Sequence, residues 1–404
     1  MKKKKFIAVP MTALLLVTLM TPSSFASDSK DTLPPQTQQV AQEKLLAEKG
    51  VKQEELQKLE PFHKSIISNL INAGEVSDSD VKSLVAGFLD RKTDAEKLKQ
   101  NKIAVNPEYK TLKPRNELLG KPNNEIQLER LQKERGIKNL SELIKPESLT
   151  QDPSINDRTN TGALWELRTN AGYSRGTAFV DLPSVSLNKT YDRSAYVFGG
   201  LYTSQSGADL GLVTEDPSGT IWYPCMYLGE IGWEGGRLPG EDADGWYQSP
   251  TAAINKNVSP RLYLIWSYTE AQNIELEVWN GSYGNWYILS HISMWAPNRN
   301  FSTAGTDVKV YQQASIAYEP DGPPIKEGDR YVQYYKGNTS SGSQLNYARF
   351  SKVAVYWNNG SYYRVWDSNV PTVQSLGHGS LAGSKILPYF ITPYTESQVS
   401  IRFN

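Results

Sequence analysis

The sequence predicts a mainly β protein, with antiparallel sheets packed as a sandwich or closed as a barrel, preceded by a small α-helical region. Three observations lead there. From Ala163 onward, short alternating apolar runs recur at intervals of about 8 to 14 residues, the pattern of an all-β sandwich or barrel. Turn signals separate the runs: Asp216-Pro217-Ser218-Gly219, Asn280-Gly281 and Asn358-Asn359-Gly360 supply residues that bend the chain or tolerate left-handed backbone. No helical periodicity long enough for a parallel crossover interrupts them, so the sheets are expected to be antiparallel. Composition marks the same boundary, since all ten tryptophans lie between Trp165 and Trp366.

In chain order, residues 1–26 read as an export signal. Lys2 to Lys5 form a basic start, Phe6 to Met20 an apolar stretch, and Ser24-Phe25-Ala26 the small residues a signal peptidase reads. The mature chain is therefore expected to start near Ser27, outside the cytoplasm, as a secreted or cell-wall-associated protein. No cysteine follows the apolar stretch, so no lipid anchor is indicated. No later run approaches the roughly 18 apolar residues of a membrane span. The single cysteine, Cys225, excludes an intramolecular disulfide, which leaves core burial to hold the fold.

Residues 27–150 read as short helices. Phe62, Ile66, Ile67, Leu70 and Ile71 follow Pro61 at helical spacing, and Gly74 is placed to end the run. Ser77 or Ser79 caps a second helix carrying Val81, Leu84, Val85 and Phe88, and a third covers Asn124 to Arg135. Their apolar stripes are narrow, which favours packing against something else. Two readings stand: a small independent bundle or spacer, and a pro-region that folds or covers the next domain and is later removed. Residues 151–162, within the Ser-, Asp- and Pro-rich stretch from Pro146 to Gly162, form a linker open to proteolysis. The β domain fills 163–404, with strands expected at Thr177–Asp181, Ala195–Tyr202, Arg261–Tyr268, Ile274–Trp279, Tyr331–Tyr335, Phe350–Trp357 and Gln398–Phe403.

Two strands carry candidate chemistry. In one, alternation puts Ala208, Leu210 and Leu212 on an apolar face and Gln205, Gly207, Asp209 and Gly211 on the other. The glycines are expected to leave space over the sheet. In the other, Ile316 and Tyr318 oppose Ser315, Ala317 and Glu319, again small residues around one functional group. Solvated polar positions on an outer face are the plainer reading of each alone.

Other chemistries fit less well. A serine or cysteine triad requires histidine, and the β half has only His291 and His378, neither beside a nucleophile motif. Cys225, between Pro224 and Met226, reads as a buried inert thiol. No His-Glu-x-x-His spacing exists, and Glu241-Asp242-Ala243-Asp244-Gly245 lacks the remaining ligands of a calcium loop. No metal and no cofactor is expected. Basic and acidic residues balance at 43 each, and no basic patch indicates a nucleic-acid surface.

The segment Gln205-Ser206-Gly207-Ala208-Asp209 resembles the Gln-Thr-Gly-x-Asp strand of the eqolisins, the glutamic peptidases. Ala314-Ser315-Ile316-Ala317-Tyr318-Glu319 resembles their Ala-Glu-aromatic-Ile-Ile-Glu strand. Trp222-Tyr223-Pro224 is similar to the family's aromatic hairpin strand and Ala348-Arg349-Phe350-Ser351 to a late Ala-x-Phe strand, in the family's order. Acidic residues of that aromatic strand are replaced here by Thr220 and Pro224. The resemblance implies a concanavalin-like β-sandwich, or jelly roll, made with a signal and a pro-region. It also implies an acid-favoured endopeptidase without a metal. Glu319 would be general base and then general acid, Gln205 would orient the water and stabilise the oxyanion, and Asp209 and Trp222 would contact the protein or peptide substrate.

The rival expectation is a non-catalytic carbohydrate- or cell-wall-binding sandwich. Glu275-Leu276-Glu277-Val278-Trp279 sets two carboxylates and an indole on one face, and Trp222, Trp233, Trp246, Trp286, Trp295 and Trp366 are possible stacking platforms for a glycan. A structural secreted protein without activity is the third reading.

Overall fold

Period-two alternation becomes two antiparallel sheets whose apolar faces close on each other. The computed structural model describes residues 35–101, 162–203, 206–230, 246–249, 252–269, 273–295, 301, 308–322, 325–327, 330–332, 335–357, 360–376, 385–392 and 394–403. The export signal, the third expected helix and most of the linker lie outside these residues.

The strands in chain order are β1 (Gly162–Thr169), β2 (Arg175–Asp181), β3 (Ser184–Ser186), β4 (Asp192–Tyr202), β5 (Ser206–Thr214), β6 (Ile221–Glu230), β7 (Trp246–Gln248), β8 (Ile254–Asn255), β9 (Arg261–Tyr268), β10 (Asn273–Asn280), β11 (Tyr287–Trp295), β12 (Lys309–Tyr318), β13 (Ile325–Glu327), β14 (Arg330–Val332), β15 (Gln344–Trp357), β16 (Tyr362–Val365), β17 (Thr372–Leu376), β18 (Ile386–Thr392) and β19 (Glu396–Arg402). Among the described residues, an eight-stranded sheet runs β17-β1-β12-β4-β5-β6-β7, with β8 on β6, and a nine-stranded sheet runs β11-β10-β9-β2-β15-β19-β18, with β3 and β16 on β15. Every pairing in both is antiparallel. The mainly β, antiparallel sandwich expected from the sequence is the fold observed.

Between the sheets lies the main core. Ala208, Leu210 and Leu212 of β5 and Ala314 and Ile316 of β12 meet Leu262, Leu264 and Trp266 of β9, all fully buried. The Trp266 indole occupies the space a side chain would need at Gly199 on β4 and Gly176 on β2, so glycine at both positions lets the sheets approach around one large ring.

Four helices precede the sandwich: α1 (Pro35–Glu48), α2 (Gln53–Lys58), α3 (Pro61–Asn72) and α4 (Asp78–Asn101). The sequence reading missed the first two. Pro61 opens α3, where its missing N–H costs nothing, and Gly74 follows at φ +69°. Ser77 and Asp80 cap α4 reciprocally: the Ser77 amide donates to Asp80 Oδ2 at 2.8 Å and the Asp80 amide to Ser77 Oγ at 3.3 Å. The apolar stripes of these helices share one buried cluster with Phe179, Tyr263, Ile265, Trp279, Trp286, Ala354 and Tyr356. They therefore cover the outer face of the nine-stranded sheet, making a third layer and leaving the outer face of the eight-stranded sheet uncovered by any described helix.

Candidate active-site groove

Strand register builds that open face row by row. Arg168, Tyr311, Gly200, Asp209 and Tyr227 are successive cross-strand partners on β1, β12, β4, β5 and β6. Glu166, Gln313, Phe198, Gly211 and Cys225 form the next row, and Leu164, Ser315, Tyr196, Val213 and Tyr223 the one after. A depression of about 230 Å³ opens there, walled by Leu164, Tyr196, Phe198 and Tyr227, with Asp209 and Gln313 at its polar end and Gly162, Ser315 and Ala317 at its small-residue end.

Two carboxyls on this face have raised pKa values. Burial pushes Asp209 from its ordinary 3.8 up to about 6, against the Tyr311 hydroxyl, which donates to it and favours the ionised form. Glu166 is raised by burial, held back by Arg168 and raised further by the negative charge of Asp209. The Arg168 Nε lies 3.4 Å from Glu166 Oε1. The two carboxyls thus share one electrostatic environment. Gln313 stands opposite Glu166, and its Nε2 donates to Ser315 Oγ at 3.4 Å, a long bond that holds the amide weakly.

The glycines act differently from the expectation that they leave the face empty. A side chain at Gly200 would collide with the Tyr311 ring, and one at Gly211 would meet Phe198 Cδ1 at 2.6 Å. Both glycines let aromatic rings lie flat across the sheet, and the open volume sits instead over Ser315, Ala317 and Gly162. Gly207 is the freer position, with Tyr202 Cδ2 at 3.6 Å.

Of the residues singled out in the sequence, the structure places Asp209 in the groove. Gln205 lies outside the described residues. Glu319 follows directly on β12, where Ile316 and Tyr318 are core residues and Ala317 and Glu319 are half-buried, so the expected alternation continues to the end of the strand; the register shift there skips Arg193 of β4. Its amide donates to Tyr191 O at 2.8 Å and its carbonyl accepts from the Lys336 amide at 2.8 Å. Tyr202, at the other end of β4, pairs with Gly207.

Trp222 is a core residue and does not line the groove. It is fully buried between the sheets, with Nε1 donating to Gly219 O at 2.8 Å, while Tyr227 lines the groove from β6. Cys225 is buried, and burial raises its thiol well above the ordinary range, as expected of an inert thiol. His291 is buried with its Nε2 3.6 Å from Glu275 Oε2, away from the groove. The acidic turn at 241–245 and the residues around His378 lie outside the described residues.

Glu166, Gln313 and Tyr311 were missed. Trp165-Glu166-Leu167-Arg168 does carry a strand signal, with Trp165 and Leu167 in the core and Glu166 and Arg168 outside, but nothing local ties it to Asp209. The strand face of Glu275, Glu277 and Trp279, expected to present carboxylates and an indole to a glycan, is buried. Glu277 and Trp279 are buried, joined by a 2.9 Å bond from Trp279 Nε1 to Glu277 Oε2, and Trp279 lies in the cluster the helices cover. Trp222, Trp286 and Trp366 are likewise buried and offer no stacking platform; Trp233 and the side chains of Trp246 and Trp295 lie outside the described residues.

No protein-family profile matches the chain, and no curated protein sequence matches it. Among solved structures it is similar to Scytalido-glutamic peptidase with a peptide-based transition state analog, at TM-score 0.34 and 8% identity over 60% of this chain and 98% of that one. It is also similar to SCP-B, a member of the eqolisin family of peptidases, in complex with the tripeptide Ala-Ile-His, at TM-score 0.35 and 9% identity over 60% of this chain and 98% of that one.

Proposed function

We propose that this chain is an exported, acid-favoured peptidase of glutamic-peptidase kind, working on extended peptide in the groove of the eight-stranded sheet. The observation that carries the proposal is the meeting of Asp209, Glu166 and the Gln313 amide on one open face, with both carboxyls raised. The resemblance of the Gln205–Asp209 and Ala314–Glu319 segments to eqolisin strands supports the reaction class. Residues 1–26 supply the export signal.

In this reading, the scissile peptide lies between β1 and β5, whose Cα rows are three strand spacings apart, roughly 14 Å. Glu166, ionised, takes a proton from a water that attacks the scissile carbonyl. The Gln313 N–H donates to the developing oxyanion. Asp209, protonated below about pH 6, gives its proton to the departing amine, and the C–N bond breaks. Each proton lost by water or acid is thereby placed, and the two carboxyls are reset by exchange with solvent. The pH optimum lies where the two coupled carboxyls together hold one proton.

The test is cleavage of an unstructured protein substrate from pH 3 to pH 7 by the wild type and by Glu166→Gln, Asp209→Asn and Gln313→Ala. Acid-favoured cleavage that all three variants lose supports the assignment. An inert wild type, or full activity in Glu166→Gln, overturns it.

A further inference from the structure

We propose that the outer face of the nine-stranded sheet is a permanent binding surface for the helical segment 35–90, so that a break between residues 101 and 162 leaves a two-chain complex and releases no pro-region.

The two sides form one core. Phe62, Ile66, Ile67, Leu70, Val85 and Phe88 are buried in the same cluster as the sheet aromatics. Phe62 stands edge-on to Tyr356 with ring centroids 4.9 Å apart, and Phe88 meets Trp279 at 5.4 Å. Gly87 allows the closest approach, since a side chain there would meet Trp279 Cη2 at 2.5 Å. Without the helices, Phe179, Tyr263, Trp279, Trp286 and Tyr356 would form a contiguous aromatic surface of a kind soluble monomers rarely expose.

Polar groups fit as closely. Glu75, between α3 and α4, places its carboxylate against Arg261 of β9 at 2.5 Å and against Lys352 of β15. Arg261 itself lies 3.8 Å over the Phe179 ring. Lys352 has the left-handed φ of +50° at the irregularity between Ser351 and Ala354, a conformation costly for a side-chain-bearing residue and here directed at Glu75. Asp80 accepts from the Gly284 amide at 2.7 Å and the Trp286 amide at 3.0 Å, while Trp286 Nε1 donates to Glu75 O at 3.1 Å. Loss of the segment would strip partners from buried groups on the sheet.

Position agrees with permanence. The helices sit on the sheet opposite the groove, so their departure opens nothing at Asp209 or Gln313. A segment made only to block the groove would have to lie on the other sheet.

The experiment inserts a sequence-specific protease site at residue 120 of the full chain, cuts it, and follows both pieces by size-exclusion chromatography and mass spectrometry. The expected result is co-elution of the two pieces at micromolar and at nanomolar concentration, with separation only in denaturant. Separate elution of the N-terminal piece from a folded β-domain overturns the proposal, and so does precipitation on cutting followed by recovery of a soluble N-terminal piece. Glu75→Gln, cut in the same way, should lose the N-terminal piece on dilution about tenfold faster or more. An unchanged rate overturns the role given to Glu75. Peptidase activity enters neither readout, so the outcome is independent of the reading of the groove.

Discussion

The hydroxyl of Tyr311 on β12 reaches across β4 to the carboxylate of Asp209 on β5, over the bare backbone of Gly200. The same hydroxyl also lies 2.9 Å from Ala208 O. Three strands thus cooperate in one contact: β4 contributes only the absence of a side chain, and that absence is what lets the other two residues meet.

Gly200→Ala should therefore destabilise the protein by about 1–3 kcal/mol through overpacking, measured by urea unfolding. Tyr311→Phe keeps the ring and removes the donor that favours ionised Asp209. Its effect should be an alkaline limb of the activity profile moved upward by roughly one pH unit. A downward move would contradict the contact.

Asp209 makes stability depend on pH with a definite sign. Its pKa is raised in the folded state, from the ordinary 3.8 to about 6, so its contribution is fully present below the unfolded value and is lost as pH rises through about 6. Asp209→Asn should leave stability near wild type at pH 3 and raise it at pH 7 by up to roughly 3 kcal/mol, less after solvent screening. Thermal melts at the two pH values measure the difference, and equal effects at both would remove the raised pKa from the account.

Kinetics separate the groove from the end of β12. Glu166→Gln should lower kcat by about a hundredfold or more. Glu319→Gln, half-buried and six residues along the chain from Gln313, should change kcat by less than about threefold. The reverse ranking would return catalysis to Glu319.

At the helical layer the sign is opposite. Burial acts to raise the Glu75 carboxyl, yet hydrogen bonds and charge from Arg261 and Lys352 outweigh it and hold the pKa below the ordinary 4.5. That stabilisation is present above the ordinary value and disappears as pH falls through the lowered one. Glu75→Gln should cost roughly 3–5 kcal/mol at pH 7, because it takes the carboxylate from the partly buried Arg261 and from Lys352, and progressively less below pH 4. Chemical denaturation across that range tests it.

Local chemistry determined much of this protein. Neighbouring residues in a strand point to opposite faces, so the sequence alone separated Ala208, Leu210 and Leu212 from Gly207, Asp209 and Gly211, and the core bears that division out. Helical spacing between Pro61 and Gly74 marked α3 for the same reason: its pattern is written within a few turns of chain. Register between distant strands was not legible. That Glu166 faces Gln313, and that Asp209 and Gln313 line one groove, depends on hydrogen-bond pairings across β1, β12, β4 and β5. Turns and bulges far from any one motif set those pairings. Burial between the sheets turns Trp222 from an apparent ligand platform into core. Side-chain direction is a property of a strand, which the sequence contains; coincidence of functional groups is a property of packed strands, which only the tertiary structure decides.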